Sequence, residues 1–125
     1  MTLQDQLRVL IERNHTKLLE QVATLAQLLA ERDREGNLEL APLIEAQRLT
    51  HQMRGAAGSI GFGEMGVAAA ALDESLKALC RANGAIPGVQ LGPSLALLAS
   101  LRTVAGETNP QTSTLYNADL SRFTR

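Results

Sequence analysis

Aromatic side chains are nearly missing from this 125-residue chain: they make up 2% of it, one Tyr and two Phe, with no Trp. A core must therefore be built from Leu, Ala, Val and Ile, a composition that favours close-packed helices over strands. The single cysteine, Cys80, excludes an internal disulfide. That suits a reducing cytosol, and its helical setting suits a packed thiol better than a reactive one. An excess of either charge is missing too, with 12 Lys and Arg against 13 Asp and Glu and a formal net charge of −1. Such a balance offers no electrostatic footprint for nucleic acid or an anionic membrane. No apolar run approaches the ~18 residues of a membrane span, and Met1 to Asp5 do not begin a secretory signal. The expectation is one cytoplasmic domain with neither a nucleic-acid nor a membrane partner. Chemical motifs are equally scarce. His15, His51 and Cys80 lie too far apart for metal-ligand spacing, so no metal is expected. No Gly-x-x-x-x-Gly-Lys loop and no Gly-x-Ser-x-Gly elbow is present, which argues against ATP chemistry of its own and against a serine nucleophile.

What is there is helical periodicity. From Leu3 to about Glu35, Leu7, Ile11, Leu18, Val22, Leu25 and Leu29 recur at near-heptad steps. The polar cluster Arg13-Asn14-His15-Thr16 could divide this segment, since Asn14 and Thr16 are acceptable N-caps. The reading favours that break and so a short leading helix; His15 reads as a surface or cap residue. Gly36-Asn37 ends the segment, and Pro42 fits the first turn of the next helix, which runs to about Gly58–Gly61. A third helix spans about 64–82, with Met65, Ala68, Leu72, Leu76 and Leu79 on one face and Asn83-Gly84 as its stop. Residues 85–91 read as loop. Pro93 opens a last helix that turns Leu97, Leu98, Leu101 and Ala105 inward. The spacing thus predicts an all-α, up-down-up-down four-helix bundle over 1–110, with no strand. A Thr-, Ser- and Asn-rich tail over 111–125 holds Tyr116 and Phe123. It could dock through them, although fraying is the ordinary behaviour of such an end.

One run organises the chain: His51-Gln52-Met53-Arg54-Gly55-Ala56-Ala57-Gly58-Ser59-Ile60-Gly61. Wound at roughly 100° per residue, it gathers Ala46, Leu49, Met53, Ala56 and Ile60 into an inward stripe and puts His51 about 180° away. Gln47, Arg54, Gly55 and Gly58 lie beside the histidine. Each glycine inside a helix costs about 1 kcal/mol relative to alanine, yet two flank this imidazole. A bare backbone is tolerated where something must approach closely. Gly58 and the Ala56-Ala57 pair have a rival explanation, close approach of a neighbouring helix.

This run resembles the signature of histidine-containing phosphotransfer (HPt) domains, approximately His-x-hydrophobic-Lys-Gly-small-small-x-x-hydrophobic-Gly. His51, Met53, Gly55, Ala56, Ala57, Ile60 and Gly61 match, and Arg54 stands in place of the usual lysine. Looser similarity extends from about Leu40 to Leu79. The resemblance implies a four-helix bundle, often with a short leading helix. It also implies a phosphorelay function: His51 would carry a phosphoryl group between the receiver-domain aspartates of a hybrid kinase and a response regulator. The receiver would supply the aspartate, the Mg²⁺ and a lysine, and this chain no cofactor; such proteins are commonly monomeric. Arg54 would neutralise phosphoryl charge, although a planar guanidinium is not a neutral exchange for an ammonium. The family's hydrophobic-acidic pair falls on Leu72-Asp73. Asp73 is therefore the candidate for orienting the imidazole, with Glu74 next and a solvent-facing carboxylate an equally open reading. Gln47, Arg48, Gly55, Gly58 and Phe62 would form the docking rim.

Two other readings compete. A helical adaptor could bind a receiver or kinase and block it without any transfer. The phosphoacceptor segment of a histidine kinase is also helical, but it usually carries an acidic residue directly after the histidine, where this chain has Gln52.

Overall fold

A computed structural model describes residues 1–120, most of them helical. Phe123 lies outside the described residues. The helices are α1, Leu3–Ala30; α2, Leu40–Ser59; α3, Gly63–Cys80; and α4, Gly92–Glu107. Two strands of two residues each, β1 (Asn37–Leu38) and β2 (Ile86–Pro87), pair antiparallel with Leu38 opposite Ile86. They tie the α1–α2 connection to the α3–α4 connection. The sequence shows no strand signal here, because two residues are too few to display an alternation.

α1 starts from a capping box: Asp5 N donates to Thr2 Oγ1 and Thr2 N to the Asp5 carboxylate, both at 3.1 Å. It then runs without the break expected at Arg13–Thr16. The would-be caps turn backward instead: Asn14 Nδ2 donates to Leu10 O at 2.9 Å and Thr16 Oγ1 to Glu12 O at 3.2 Å. A side chain bonded to the preceding turn does not compete with the helix around it. At the other end α1 stops at Ala30, short of Glu35. There Asp33 Oδ1 accepts from both Glu35 N and Asn37 N at 2.9 Å, and Gly36 takes φ +82°. An Asx-type turn has displaced the last helical turn.

The helices bury aliphatic stripes. Ile11, Leu18, Val22, Leu25 and Leu29 of α1 meet Leu43, Ala46, Met53 and Ala57 of α2, Met65, Ala69, Leu72 and Leu76 of α3, and Leu98, Leu101 and Ala105 of α4 in one core. Fully burying a Leu, Ile or Met contributes about 1.5–3 kcal/mol, so these stripes outweigh helix propensity. Contact is most extensive between α2 and α3, and α1 closes the bundle against α4 through a smaller contact. No helix among the described residues is long and apolar enough to cross a membrane.

The polar tail does not fray over its described part. Asn109 caps a short 3-10 turn at Pro110–Thr112, and buried Ser113 donates its hydroxyl to Ile60 O at 2.6 Å. Thr114 N donates to Gly61 O at 3.1 Å. Arg8 Nε donates to Tyr116 O at 2.9 Å while its guanidinium lies 4.7 Å from that ring's centroid. His15 is part of the same fastening, its Nε2 2.9 Å from Thr108 O and its ring 5.8 Å from that of Phe62. Gly61 makes the approach feasible, with φ +91° and no Cβ to collide with Ser113 and Thr114.

Candidate functional site

α2 buries Leu43, Ala46, Thr50, Met53 and Ala57, followed by Ile60. Thr50 and Ala57 thus take the fully buried places expected for Leu49 and Ala56, which pack half-buried against the core. Thr50 can be buried because its hydroxyl donates to Ala46 O at 2.6 Å. On the observed stripe, His51 lies roughly 130° from the middle and not opposite to it. That rotation aims the imidazole over the seam between α2 and α3.

Across the seam stands Asp73, wholly buried in the middle of α3. An isolated carboxylate there would be costly, and this one is heavily partnered. His51 Nδ1 is 2.9 Å from Oδ2, and Gln47 Nε2 donates to Oδ1 at 2.9 Å. Arg54 Nη1 donates to Asp73 Oδ2 at 3.1 Å and to Glu74 Oε1 at 3.0 Å. Lys77 Nζ lies 3.4 Å from Asp73 Oδ2 and 3.7 Å from Glu74 Oε1. Burial pushes the Asp73 pKa up, but hydrogen bonds from His51, Gln47 and Arg54 and the Lys77 charge outweigh it, bringing it down to about 2. Arg54 gains from the same contacts: Glu74, then Asp73, hold its proton more firmly still.

An ionised carboxylate only accepts, so the hydrogen between His51 and Asp73 sits on Nδ1. In the neutral ring the other nitrogen, Nε2, then carries the lone pair. It has no hydrogen-bond partner among the described residues, and the His51 side chain is 60% exposed. The local product is an imidazole with its tautomer fixed from behind and its basic nitrogen facing out, an arrangement suited to attack on an electrophile carried by another molecule.

The residues singled out from sequence fall into distinct places. Asp73 occupies the position facing Nδ1, and Glu74 stands behind Arg54. Arg48 is exposed and paired with Glu45 one turn back. A Cβ built on Gly55 or Gly58 meets nothing within 4 Å, so both leave open space on the outer face. The rival account of Gly58 has support too: a Cβ on Gly66 of α3 would come within 3.4 Å of Gly58 N, so the two helices are close there. Gln47 is not a free rim residue, since its amide is spent on Asp73. Phe62, expected on the docking rim, is instead buried. It is 3% exposed, packed in the core against His15, because the chain turns inward at Gly61 instead of continuing along the outer face of α2.

Sequence reasoning missed Lys77, although its i+4 spacing from Asp73 and i+3 from Glu74 was there to be read. It also passed over Ile44 and Val67, 49% and 72% exposed. Ile44 is two turns before His51 on α2, and Val67 is on the facing helix. A cavity of about 430 Å³ lies elsewhere, between Phe62, Met65 and the tail. Among the described residues no three His, Cys, Asp or Glu side chains gather where they could hold a metal ion. Against family models, curated proteins and solved structures, the chain gives no match.

Proposed function

We propose that this chain is a histidine phosphotransfer protein of a multistep phosphorelay, an up-down-up-down bundle acting in the cytoplasm on the receiver domains of a hybrid kinase and a response regulator. The observation that carries the reading is the pairing of an exposed imidazole with a buried, ionised carboxylate at 2.9 Å. The bundle topology is supported by the packing of each helix on the next and of α1 on α4.

In this mechanism the Nε2 lone pair of neutral His51 attacks phosphorus of a partner's aspartyl phosphate. A P–N bond forms, the P–O bond to the aspartyl carboxylate breaks, and that carboxylate leaves as an anion. No proton need move, because Nδ1–H stays on the ring and the positive charge left on the phosphoimidazole is offset by Asp73. The reverse step returns the group to another receiver. Phosphoryl transfer is governed by positioning and charge neutralisation: Asp73 fixes the ring, Arg54 meets the phosphoryl oxygens, and Gly55 and Gly58 leave the approach clear. The Mg²⁺ belongs to the receiver. Docking would use Ile44, Arg48 and Val67 around the imidazole in place of Phe62.

The test is a phosphotransfer time course from a panel of prephosphorylated hybrid kinases of the same organism, run beside His51→Gln and His15→Gln variants. Acid-labile label on wild type and the His15 variant, absent from the His51 variant, is the expected result. Label that persists without His51 overturns the site. Receiver binding with no transfer across the panel favours the adaptor reading.

A further inference from the structure

The two cations at the site compete for the same pair of oxygens. Arg54 Nη1 contacts Asp73 Oδ2 at 3.1 Å and Glu74 Oε1 at 3.0 Å; Lys77 Nζ contacts those same atoms at 3.4 and 3.7 Å. They reach them from different helices, Arg54 from α2 and Lys77 from one turn further along α3. Asp73 Oδ2 also faces His51 Nδ1, so three donors converge on one carboxylate oxygen. An oxygen with two lone pairs cannot serve three donors equally well. The longer Lys77 distances mark it as the donor held in reserve.

The charges give that reserve a purpose. With His51 neutral, Asp73, Glu74, Arg54 and Lys77 sum to zero. A phosphoryl group on Nε2 adds roughly two negative charges, and Arg54, whose Nη1 is engaged by both carboxylates, meets them with its whole guanidinium by turning away from that pair. Leaving would strip the buried Asp73 of a cation while the ring it orients becomes positive. Resting on the phosphotransfer reading above, we propose that Lys77 is a positioning residue that takes over Asp73 and Glu74 as Arg54 swings to the phosphoryl group. Lys77 thereby frees Arg54 without contacting the phosphoryl group itself. Glu74 opposes it by restraining Arg54.

Small-molecule phosphorylation tests this without any partner protein. His51 is phosphorylated with phosphoramidate, and the rate of phosphohistidine formation is followed by ³¹P NMR, with His51→Gln as the blank. Lys77→Gln should slow the reaction about two- to fivefold, the range an ion pair at a half-exposed site commands. Lys77→Arg should restore it, and Glu74→Gln should accelerate it. In an Arg54→Gln background both effects should vanish, because each works through Arg54. The side-chain Nε–Hε resonance of Arg54 should move on phosphorylation of wild type and move less in Lys77→Gln. A Lys77→Gln effect that persists without Arg54 overturns the proposal in favour of direct contact or bulk charge. Equal rates for wild type and Lys77→Gln overturn it outright. Failure of wild type to react at His51 would instead bring down the phosphotransfer reading beneath it.

Discussion

Nδ1 of His51, on a side chain 60% exposed, is held at 2.9 Å by Oδ2 of Asp73, whose side chain is wholly buried. The pairing joins a group that must reach solvent to one that cannot. Burial protects the carboxylate from competition by water, which strengthens its bond to Nδ1–H. The exposed edge of the ring leaves Nε2 available. The carboxylate is affordable in the core only because Arg54 and Lys77 neutralise it and Gln47 hydrogen-bonds its other oxygen.

Replacing Asp73 with Asn should keep the shape and lose the tautomer control. An amide can offer either a donor or an acceptor to Nδ1, so the lone pair no longer belongs to Nε2 alone. A charge-assisted hydrogen bond is worth about 1.5–3 kcal/mol, so phosphorylation of His51 should slow tenfold or more. ¹⁵N NMR of the imidazole should show a single Nδ1–H tautomer in wild type and a mixture in the variant. An unchanged tautomer with unchanged rate would remove Asp73 from the mechanism.

Asp73 should also set the acid limit of stability. Its pKa falls from the ordinary 3.8 to about 2 in the fold. A depressed carboxylate adds stability that is complete above its unfolded pKa and disappears as pH drops through the folded one. The loss should therefore fall between about pH 4 and pH 2 and amount to on the order of 1–2 kcal/mol, discounted for solvent beside the pair. Urea unfolding at pH 5 and pH 2.5, with Asp73→Asn for comparison, checks it: the variant should show the smaller change.

Much of this site was legible in the chain itself. The bare glycines and the spacing of Arg54 from His51 follow from counting along a helix, whereas Asp73 is marked only by the resemblance, which places a hydrophobic-acidic pair on Leu72-Asp73 and leaves a solvent-facing carboxylate equally open. The four long helices were also readable, from aliphatic stripes alone. Legibility failed where a long-range contact decided the outcome. Asn14 and Thr16 are chemically able to cap, and only their backward bonds to Leu10 and Glu12 reveal that they do not. Phe62 follows the signature run, and its inward path depends on the positive φ of Gly61. The tail reads as a polar end because Ser113 and Tyr116 find their partners on Ile60 and Arg8, residues remote in sequence. The roughly 50° rotation of the α2 stripe was hidden for a different reason, since Thr50 reads as polar and is buried by a bond within its own helix.

Gly55 separates access from folding. A Cβ there meets nothing within 4 Å, so Gly55→Ala should fold and gain up to about 1 kcal/mol from helix propensity. Gly55→Gln should fold as well, but its side chain would stand one turn from His51. Transfer from a phosphorylated receiver should fall several-fold in Gly55→Gln, while phosphorylation by phosphoramidate, a donor of a few atoms, should not. Equal loss with both donors would mean that the substitution disturbs His51 itself and that Gly55 is no gateway.

Gly61 tests whether the tail contributes to the fold. Its φ of +91° is one that a side chain rarely adopts, and a Cβ would lie 2.6 Å from Ser113 Oγ and 2.8 Å from Thr114 Oγ1. Gly61→Ala therefore combines backbone strain with a collision, and should cost about 1–3 kcal/mol. Gly58→Ala, three residues earlier and in open space, should be neutral or stabilising by up to about 1 kcal/mol. Ser113→Ala should lose the bond to Ile60 O but relieve part of the clash, so the Gly61→Ala/Ser113→Ala pair should be less than additive. Urea midpoints at constant slope measure all four variants, and hydrogen exchange at Thr114 N, which donates to Gly61 O, reports the tail directly. Faster exchange there in Gly61→Ala, with α2 amides protected, would locate the damage at the fastening. If Gly61→Ala matches wild type in both readouts, the tail lies on the helices without holding them.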